Sequence, residues 1–100
     1  MKYRINYRIT DHDKWLPVLR KWTSMSPQER GDAGEGVKII GRWLDMTGRT
    51  GVLIVESNDF AAVARYVGKW NPYMDVDCTP VVEDEESAAI SRQILAENNA

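Results

Sequence analysis

A chain of 100 residues has room for one hydrophobic core, so the sequence predicts a single domain over residues 1–100. A formal net charge of -2 is unfavourable for a non-specific nucleic-acid binder, which needs surplus Lys and Arg against phosphates. No run approaches the roughly 18 apolar residues of a membrane span, and charges interleave through the first eight residues, where a signal peptide would be apolar.

The opening segment alternates large apolar residues with polar or basic ones, which predicts a β-strand with two chemically different faces. One face is expected to pack in the core and carries Tyr3, Ile5, Tyr7 and Ile9. The other face is expected to be polar and carries Arg4, Asn6 and Arg8.

A helix is predicted next, because residues 10–13 carry side-chain oxygens that can cap a helix start. Pro17 is expected in the first turn of this helix, where a residue without a backbone N–H is tolerated. Residues 26–36 are polar with three glycines and no apolar anchor, so they are predicted to form a flexible surface loop. The helix has an apolar stripe at helical spacing, formed by Trp15, Val18, Leu19, Trp22 and Met25.

The second strand is predicted over residues 37–46 and again alternates. This alternation places Val37, Ile39 and Trp43 on one face and Lys38, Ile40, Arg42 and Leu44 on the other. Gly41 lies inside the strand, where a glycine often marks a bulge or the close approach of another group, here the neighbouring Trp43.

The third strand and the second helix follow a turn at residues 47–49. Residues 51–56 form a nearly continuous apolar run, which favours a central strand that is covered on both sides. Ser57 to Asp59 can cap a second helix, and Asn71-Pro72 is expected to end it. Its apolar residues at helical spacing are Phe60, Val63, Val67 and Trp70.

A fourth strand and a last helix complete the chain. The strand alternates apolar Met74, Val76 and Cys78 with polar Asp75, Asp77 and Thr79. As the only cysteine, Cys78 excludes an internal disulfide and fits a reducing compartment, so we expect a cytoplasmic protein. The four acidic residues 83–86 favour the start of a helix over residues 83–97, whose thin apolar stripe requires docking for stability.

The order βαββαβ predicts a ferredoxin-like α+β fold, with a four-stranded antiparallel sheet, two helices on one face and an added C-terminal helix. In this fold the fourth strand lies beside the first, so Arg4 and Arg8 are expected to face Asp75 and Asp77 on the open face of the sheet. Because an open sheet would also expose apolar side chains, we expect a homodimer through this face that encloses a partly polar cavity. The alternative is a monomer whose open face is covered by the last helix.

Several short sequences in a fixed order carry a resemblance to a known family. They are Gly36-Val37-Lys38 running into Gly41-Arg42-Trp43, Val55-Glu56 followed by Asn58-Asp59, Trp70 at the end of the second helix, and residues 79–86. In these sequences the chain resembles the uncharacterised bacterial domain-of-unknown-function family numbered 3303 over nearly its whole length. The resemblance implies a small dimeric ferredoxin-like domain and offers no established activity. The chain departs from the family in a longer polar segment over residues 26–35 and in the basic residues of its first strand.

A ligand site between the sheet and the helices is what dimeric ferredoxin-like barrels imply for this chain. Candidate ligand-binding residues are Arg8, Arg42, Trp43, Trp70 and Asn71. Glu56 is the candidate catalytic residue, as a general base tuned by apolar neighbours, with Arg42 or Arg8 stabilising a developing negative charge. The structural alternative makes Trp43 and Trp70 core aromatics, and Arg42 and Glu56 an ion pair on the sheet surface.

The remaining patterns are typical of local structure rather than of chemistry. Residues 11–13 and the acidic residues 83–86 could ligate a metal, but both are explained as helix starts, so no metal site is predicted. The third strand has no aromatic residue on which RNA bases could stack, so no nucleic-acid partner is predicted. Cys78 could be a nucleophile only if His12 reached it, and it belongs to the apolar face of its strand.

The predicted function is therefore a small-molecule-binding or interaction domain that acts as a homodimer, by default non-enzymatic and without a cofactor. The alternative is a cofactor-free enzyme, monooxygenase-like or isomerase-like, of the dimeric α+β barrel type. The enzyme requires Glu56 and an arginine within hydrogen-bond reach in one pocket, and the binding domain does not.

Overall fold

The computed structural model describes residues 1–98, and this part of the chain forms a four-stranded antiparallel sheet with helices. The elements are β1 (Lys2–Arg8), a 3-10 turn (His12–Lys14), α1 (Trp15–Ser24), α2 (Pro27–Arg30), β2 (Lys38–Asp45), β3 (Thr50–Glu56), α3 (Phe60–Trp70), β4 (Asp75–Val81) and α4 (Asp84–Glu97). The strands lie in the order β2-β3-β1-β4, so the predicted ferredoxin-like α+β class is confirmed. Within residues 1–98, no helix has both the length and the apolar composition needed to cross a bilayer.

The core lies between the helix-covered face of the sheet and α3. Tyr3 and Ile5 of β1 stand opposite Val55 and Leu53 of β3, and all four side chains are buried together with Val63 of α3. Burying each such aliphatic side chain contributes about 1.5–3 kcal/mol. The apolar face predicted for β1 is therefore confirmed, and Ile9 at its end is buried as well.

A β-bulge in β2 reverses the faces of the residues that follow it. Ile39 stands opposite Val55 whereas Gly41 stands opposite Ile54, which leaves Ile40 as the extra residue. Because a shift of one residue moves every later side chain to the other face, the predicted face assignment of β2 is wrong beyond the bulge.

The bulge moves Arg42 and Trp43 in opposite directions. Arg42 stands opposite the buried Leu53 on the helix side, and Trp43 stands opposite Val52 on the open face with 63% of its surface exposed. Trp43 is therefore not a core aromatic. The predicted close approach at Gly41 is confirmed, because a Cβ there would lie 2.6 Å from the Trp43 ring.

The segment predicted as a flexible polar loop, residues 26–36, contains the short helix α2. A capping box begins this helix, in which Ser26 Oγ accepts from Glu29 N at 3.1 Å and Glu29 Oε1 accepts from Ser26 N at 2.9 Å. Ala33 is buried with 5% of its surface exposed, so the segment does have an apolar anchor, contrary to the prediction.

Helix α4 has the predicted extent but packs on little of the chain. Each of its residues except Ala88 is exposed, including Ile90, Ile94 and Leu95. The molecule measures 54 Å along its longest axis, and its radius of gyration of 16.6 Å exceeds the ~13 Å of a compact domain of this size. The alternative in which the last helix covers the open face is therefore wrong.

Candidate functional site

A cavity of about 100 Å³, which we call the cleft, lies between the helix side of the sheet and helices α1 and α3. Strands β1, β3 and β4 line it with Ile5, Tyr7, Leu53 and Val76, and Ile9 just after β1 lines it as well. Helix α1 contributes Trp15, Val18, Leu19 and Trp22, and α3 contributes Tyr66, Val67 and Trp70. The amphipathic stripes that the sequence predicted for the two helices thus face a space that they do not fill.

Arg42 is the cation that lines the cleft, and the bulge places it there. Its Nη2 donates to the carbonyl of Arg30 at 2.8 Å and contacts the Tyr66 hydroxyl at 3.4 Å. Its guanidinium carbon lies 4.9 Å from the centroid of the Trp22 ring, a cation–π contact. Within residues 1–98, no carboxylate lies within 4 Å of this half-buried guanidinium, so its charge is stabilised by carbonyl and aromatic groups alone.

Further cations lie on the tryptophans of the cleft. Lys21 Nζ is 5.7 Å from the centroid of the Trp70 ring, and Arg30 is 5.6 Å from that of Trp22. The rings of Trp22 and Trp70 are arranged edge to face, with their centroids 6.4 Å apart. These cations give the region around the cleft a positive potential that favours anions.

Tyr7 places its hydroxyl-bearing ring in the cleft, over a glycine. A Cβ at Gly51 would lie 2.6 Å from Tyr7 Cζ, so the ring can take this position only because residue 51 has no side chain. Burial raises the pKa of Tyr7. The positive charge of Arg42 lowers this pKa and the negative charge of Asp45 raises it, both by less than burial does. Tyr7 is therefore a neutral hydrogen-bond donor at neutral pH.

Asp45 is the carboxylate that lines the cleft, but its oxygens are used by the turn that follows β2. Asp45 Oδ1 accepts from Gly48 N at 2.9 Å and from Thr47 Oγ1 at 2.8 Å. These hydrogen bonds lower the pKa of Asp45. Arg49 ends the turn in the left-handed region (φ 57°), with its guanidinium carbon 5.1 Å from the Trp15 ring.

The structure divides the predicted ligand-binding residues between two faces. Arg42 and Trp70 line the cleft. Arg8 and Trp43 border a shallow groove on the open face, together with Asn6. Asn71 is exposed at the end of α3, where its N–H donates to the carbonyl of Val67 at 3.1 Å.

Glu56 does not meet Arg42. Glu56 pairs with Lys38 across the strands on the open face, whereas Arg42 pairs with Leu53 on the helix side. Three residues along β3 span ~10 Å, so the two side chains differ in both position and face. The predicted surface ion pair between Arg42 and Glu56 is therefore absent from the described residues, whose salt bridges are Lys2–Glu83 and Arg8–Asp77.

Among the cleft residues that were not predicted as site residues are Tyr7, Trp22 and Tyr66. Tyr7 and Trp22 were assigned to the core, and a core stripe cannot be told from a cleft wall by its spacing alone. Tyr66 precedes Trp70 by four residues and so shares its helix face, a signal that could have linked it to the predicted Trp70.

The first helix-start motif acts as a cap, whereas Glu83 of the second makes no side-chain cap and forms a salt bridge with Lys2 instead. Asp11 Oδ1 accepts from Asp13 N at 3.0 Å, as expected of a cap. His12 Nδ1 lies 3.1 Å from Arg49 Nη1, and within residues 1–98 no group of three His, Cys, Asp or Glu side chains converges as metal ligands would. Cys78 is half-buried in β4, and burial raises the pKa of its thiol, which disfavours the reactive thiolate.

The fold and the cleft together define this protein as a ferredoxin-like α+β domain with a small, tryptophan-lined cavity between its sheet and its helices. The chain belongs to the family described as a domain of unknown function, DUF3303, whose sequence model matches residues 1–95. The predicted family is thus confirmed, and its description names no activity. No curated protein matches the chain.

Proposed function

We propose that this protein is a non-enzymatic small-molecule-binding domain whose ligand occupies the cleft. The observation that carries this proposal is the Arg42 guanidinium, half-buried against apolar walls with no carboxylate partner among residues 1–98. Ligand sites are typically apolar concavities with a few polar groups that fix the ligand's orientation. Both of Arg42's hydrogen bonds within residues 1–98 leave from Nη2, so Nε and Nη1 have donors for a ligand.

The cofactor-free enzyme is the weaker candidate. Its proposed general base, Glu56, is exposed on the open face, on the opposite side of the sheet from the cleft. A general base must reach its proton within about 2.6–3.2 Å or through one water. The carboxylate that does line the cleft, Asp45, is used as an acceptor by the turn.

We also propose that the protein acts as a cytoplasmic homodimer through the open face. Trp43 and Ile40 are exposed beside the half-buried Val52 and Ile54, and α4 does not cover them. Exposed apolar patches of this kind favour association.

Charge complementarity supports a second copy of the chain as the partner. The open face carries a basic row on β1, with Arg4 and Arg8, beside an acidic row on β4, with Asp75 and Asp77. A two-fold axis can therefore set the basic row of one copy against the acidic row of the other. The exposed Ile90 and Ile94 of α4 provide further apolar surface for the same partner.

Binding in the cleft can be tested with a thermal-shift screen of small ring compounds, followed by tryptophan fluorescence for those that raise the melting temperature. Mass action raises stability by about 2.7 kcal/mol when a ligand is present at 100 times its Kd. The variant Val76→Phe places a ring in the cavity and should abolish binding. Its control, Val82→Phe, changes an exposed residue outside the cleft and should bind normally. Equal binding by both variants would place the ligand elsewhere and refute the proposal.

The homodimer can be tested by size-exclusion chromatography with light scattering. Wild-type protein at micromolar concentration should have twice the mass of the chain, and Trp43→Glu should be monomeric. The control Leu16→Glu changes an exposed residue of α1 and should remain dimeric. A wild-type monomer across the concentration range would rule the dimer out.

A further inference from the structure

We infer that the ligand of the cleft is an aromatic carboxylate with a single ring, bound with its carboxylate on Arg42 and its ring among the tryptophans. This inference rests on the proposed function and adds the chemical class of the ligand. It is derived from the size of the cavity, the character of its walls and the balance of charge around it.

The size of the cleft limits the ligand to about one ring. Its volume is about 100 Å³. An apolar cavity of about 150 Å³ in another protein binds benzene, whereas drug-sized ligands occupy pockets of about 300–1,000 Å³. A ligand of several fused rings therefore exceeds the cleft, and a single ring is the largest group that suits its size.

The walls of the cleft favour an aromatic ring. Trp22 and Trp70 meet edge to face there, and Tyr7 adds a third aromatic side chain from the sheet. Aromatic rings attract one another beyond the burial of their area when they lie offset or edge to face. The aliphatic residues Ile5, Leu53 and others complete an apolar surface around them.

The charges around the cleft favour an anion. Arg42 lines the cavity, and Lys21, Arg30 and Arg49 lie on the tryptophan rings that form its walls. Among residues 1–98, no salt bridge involves any of these four cations. A neutral ligand would leave the half-buried guanidinium without a salt bridge among residues 1–98, whereas an anion supplies one.

The geometry of the donors favours a carboxylate. Arg42 uses Nη2 for Arg30 and Tyr66 and keeps donors on Nε and Nη1, each of which can donate a charge-assisted hydrogen bond to a carboxylate oxygen. The hydroxyl of Tyr66 lies 3.4 Å from Arg42 Nη2, and Tyr7 also lines the cleft, so two neutral hydroxyls accompany the cation. Asp45, the carboxylate that lines the cavity, is directed to the turn by four hydrogen bonds.

The test compares benzoate with benzyl alcohol, which has the same ring and no charge, by isothermal titration calorimetry. Wild-type protein should bind benzoate at least about tenfold more tightly, because hydrogen bonds to charged groups contribute about 1.5–3 kcal/mol. Arg42→Gln should remove this preference, because it weakens the binding of benzoate far more than that of benzyl alcohol. The control Arg20→Gln changes an exposed arginine of α1 outside the cleft and should keep the preference.

A second variant keeps the test valid if Arg42→Gln fails to fold. Arg42→Lys keeps the charge but loses the Nε and Nη1 donors of the guanidinium, so it should bind benzoate with intermediate affinity. If wild type binds both probes equally, or if Arg42→Gln retains the preference, the inference is wrong while the small-molecule function stands. If neither probe binds and no ring compound in the thermal-shift screen does, the proposed function itself fails.

Discussion

The two faces of the sheet are made by the same strands and have opposite character. On β3, Leu53 faces the helices and is buried, whereas its neighbour Ile54 faces the other way and is only half-buried. On β1, Ile5 is buried and Arg4 is exposed. The alternation of a strand thus supplies a core with one set of residues and an unpartnered surface with the next.

The bulge in β2 exchanges residues between these faces. One extra residue, Ile40, carries Arg42 to the helix side and Trp43 to the open side. Without it, the cleft would contain a tryptophan in place of its cation, and the open face would lose its largest exposed aromatic side chain. The bulge therefore determines the chemistry of both faces.

The largest expected difference between the faces is in stability. Ile5→Ala should lower the free energy of unfolding by about 2–5 kcal/mol, because it leaves a cavity under the helices where only 3% of the side chain is exposed. Ile54→Ala on the open face should cost less in dilute protein, since its side chain is half-buried. Urea denaturation measures both, and equal losses in a monomeric sample would contradict the comparison.

Two glycines test how tightly each face is packed. Gly51→Ala on the helix side should cost about 1–3 kcal/mol, because the new Cβ would overlap the Tyr7 ring within the cleft. Gly41→Ala on the open side meets the exposed Trp43 ring, which can rotate into solvent, so its cost should be smaller.

Denaturation of both glycine variants in wild-type and aromatic-to-alanine backgrounds checks this explanation. Trp43→Ala should remove the cost of Gly41→Ala, and Tyr7→Ala should reduce that of Gly51→Ala. A cost that is unchanged in either background would show that the ring is not its cause.

The sequence predicted the fold well because its signals are local and mutually consistent. The alternation of β1, the stripe of α3 and the Asn71-Pro72 stop are each read from a few neighbouring residues, and the structure has the corresponding elements. The face of Arg42 could not be predicted in the same way, because Gly41 signals an irregularity without showing whether a residue is inserted. A site between the sheet and the helices was expected from the resemblance, but the size of the cleft and most of its lining could not be predicted, since they depend on how far the helices stand from the sheet.

The turn beside the cleft should give a smaller, pH-dependent effect. Hydrogen bonds from Gly48 and Thr47 hold the pKa of Asp45 below its usual value of 3.8. Because the pKa of Asp45 is lower in the folded than in the unfolded protein, the ionised carboxylate stabilises the fold fully when the pH is above the unfolded-state pKa. This stabilisation is lost as the pH falls through the folded-state pKa. Asp45→Asn should therefore be less stable than wild type near neutral pH, with the difference narrowing in acid.

Thermal denaturation across the acid range measures this difference. If the difference in stability between wild type and Asp45→Asn widened as the pH fell, the pKa of Asp45 would be raised in the folded protein, contrary to the structure.

The smallest expected effect is on the open face, at the ion pair between Arg8 Nη2 and Asp77 Oδ2, which lie 3.7 Å apart. Both side chains are more than half exposed, and such pairs contribute only about 0–1 kcal/mol. A double-mutant cycle with Arg8→Ala and Asp77→Ala should give a coupling in this range in a monomeric Trp43→Glu background. In the proposed wild-type dimer the coupling should be larger, because a second copy would remove water from the pair. Identical couplings in the two backgrounds would mean that the partner does not cover these charges, and the dimer would then use another surface.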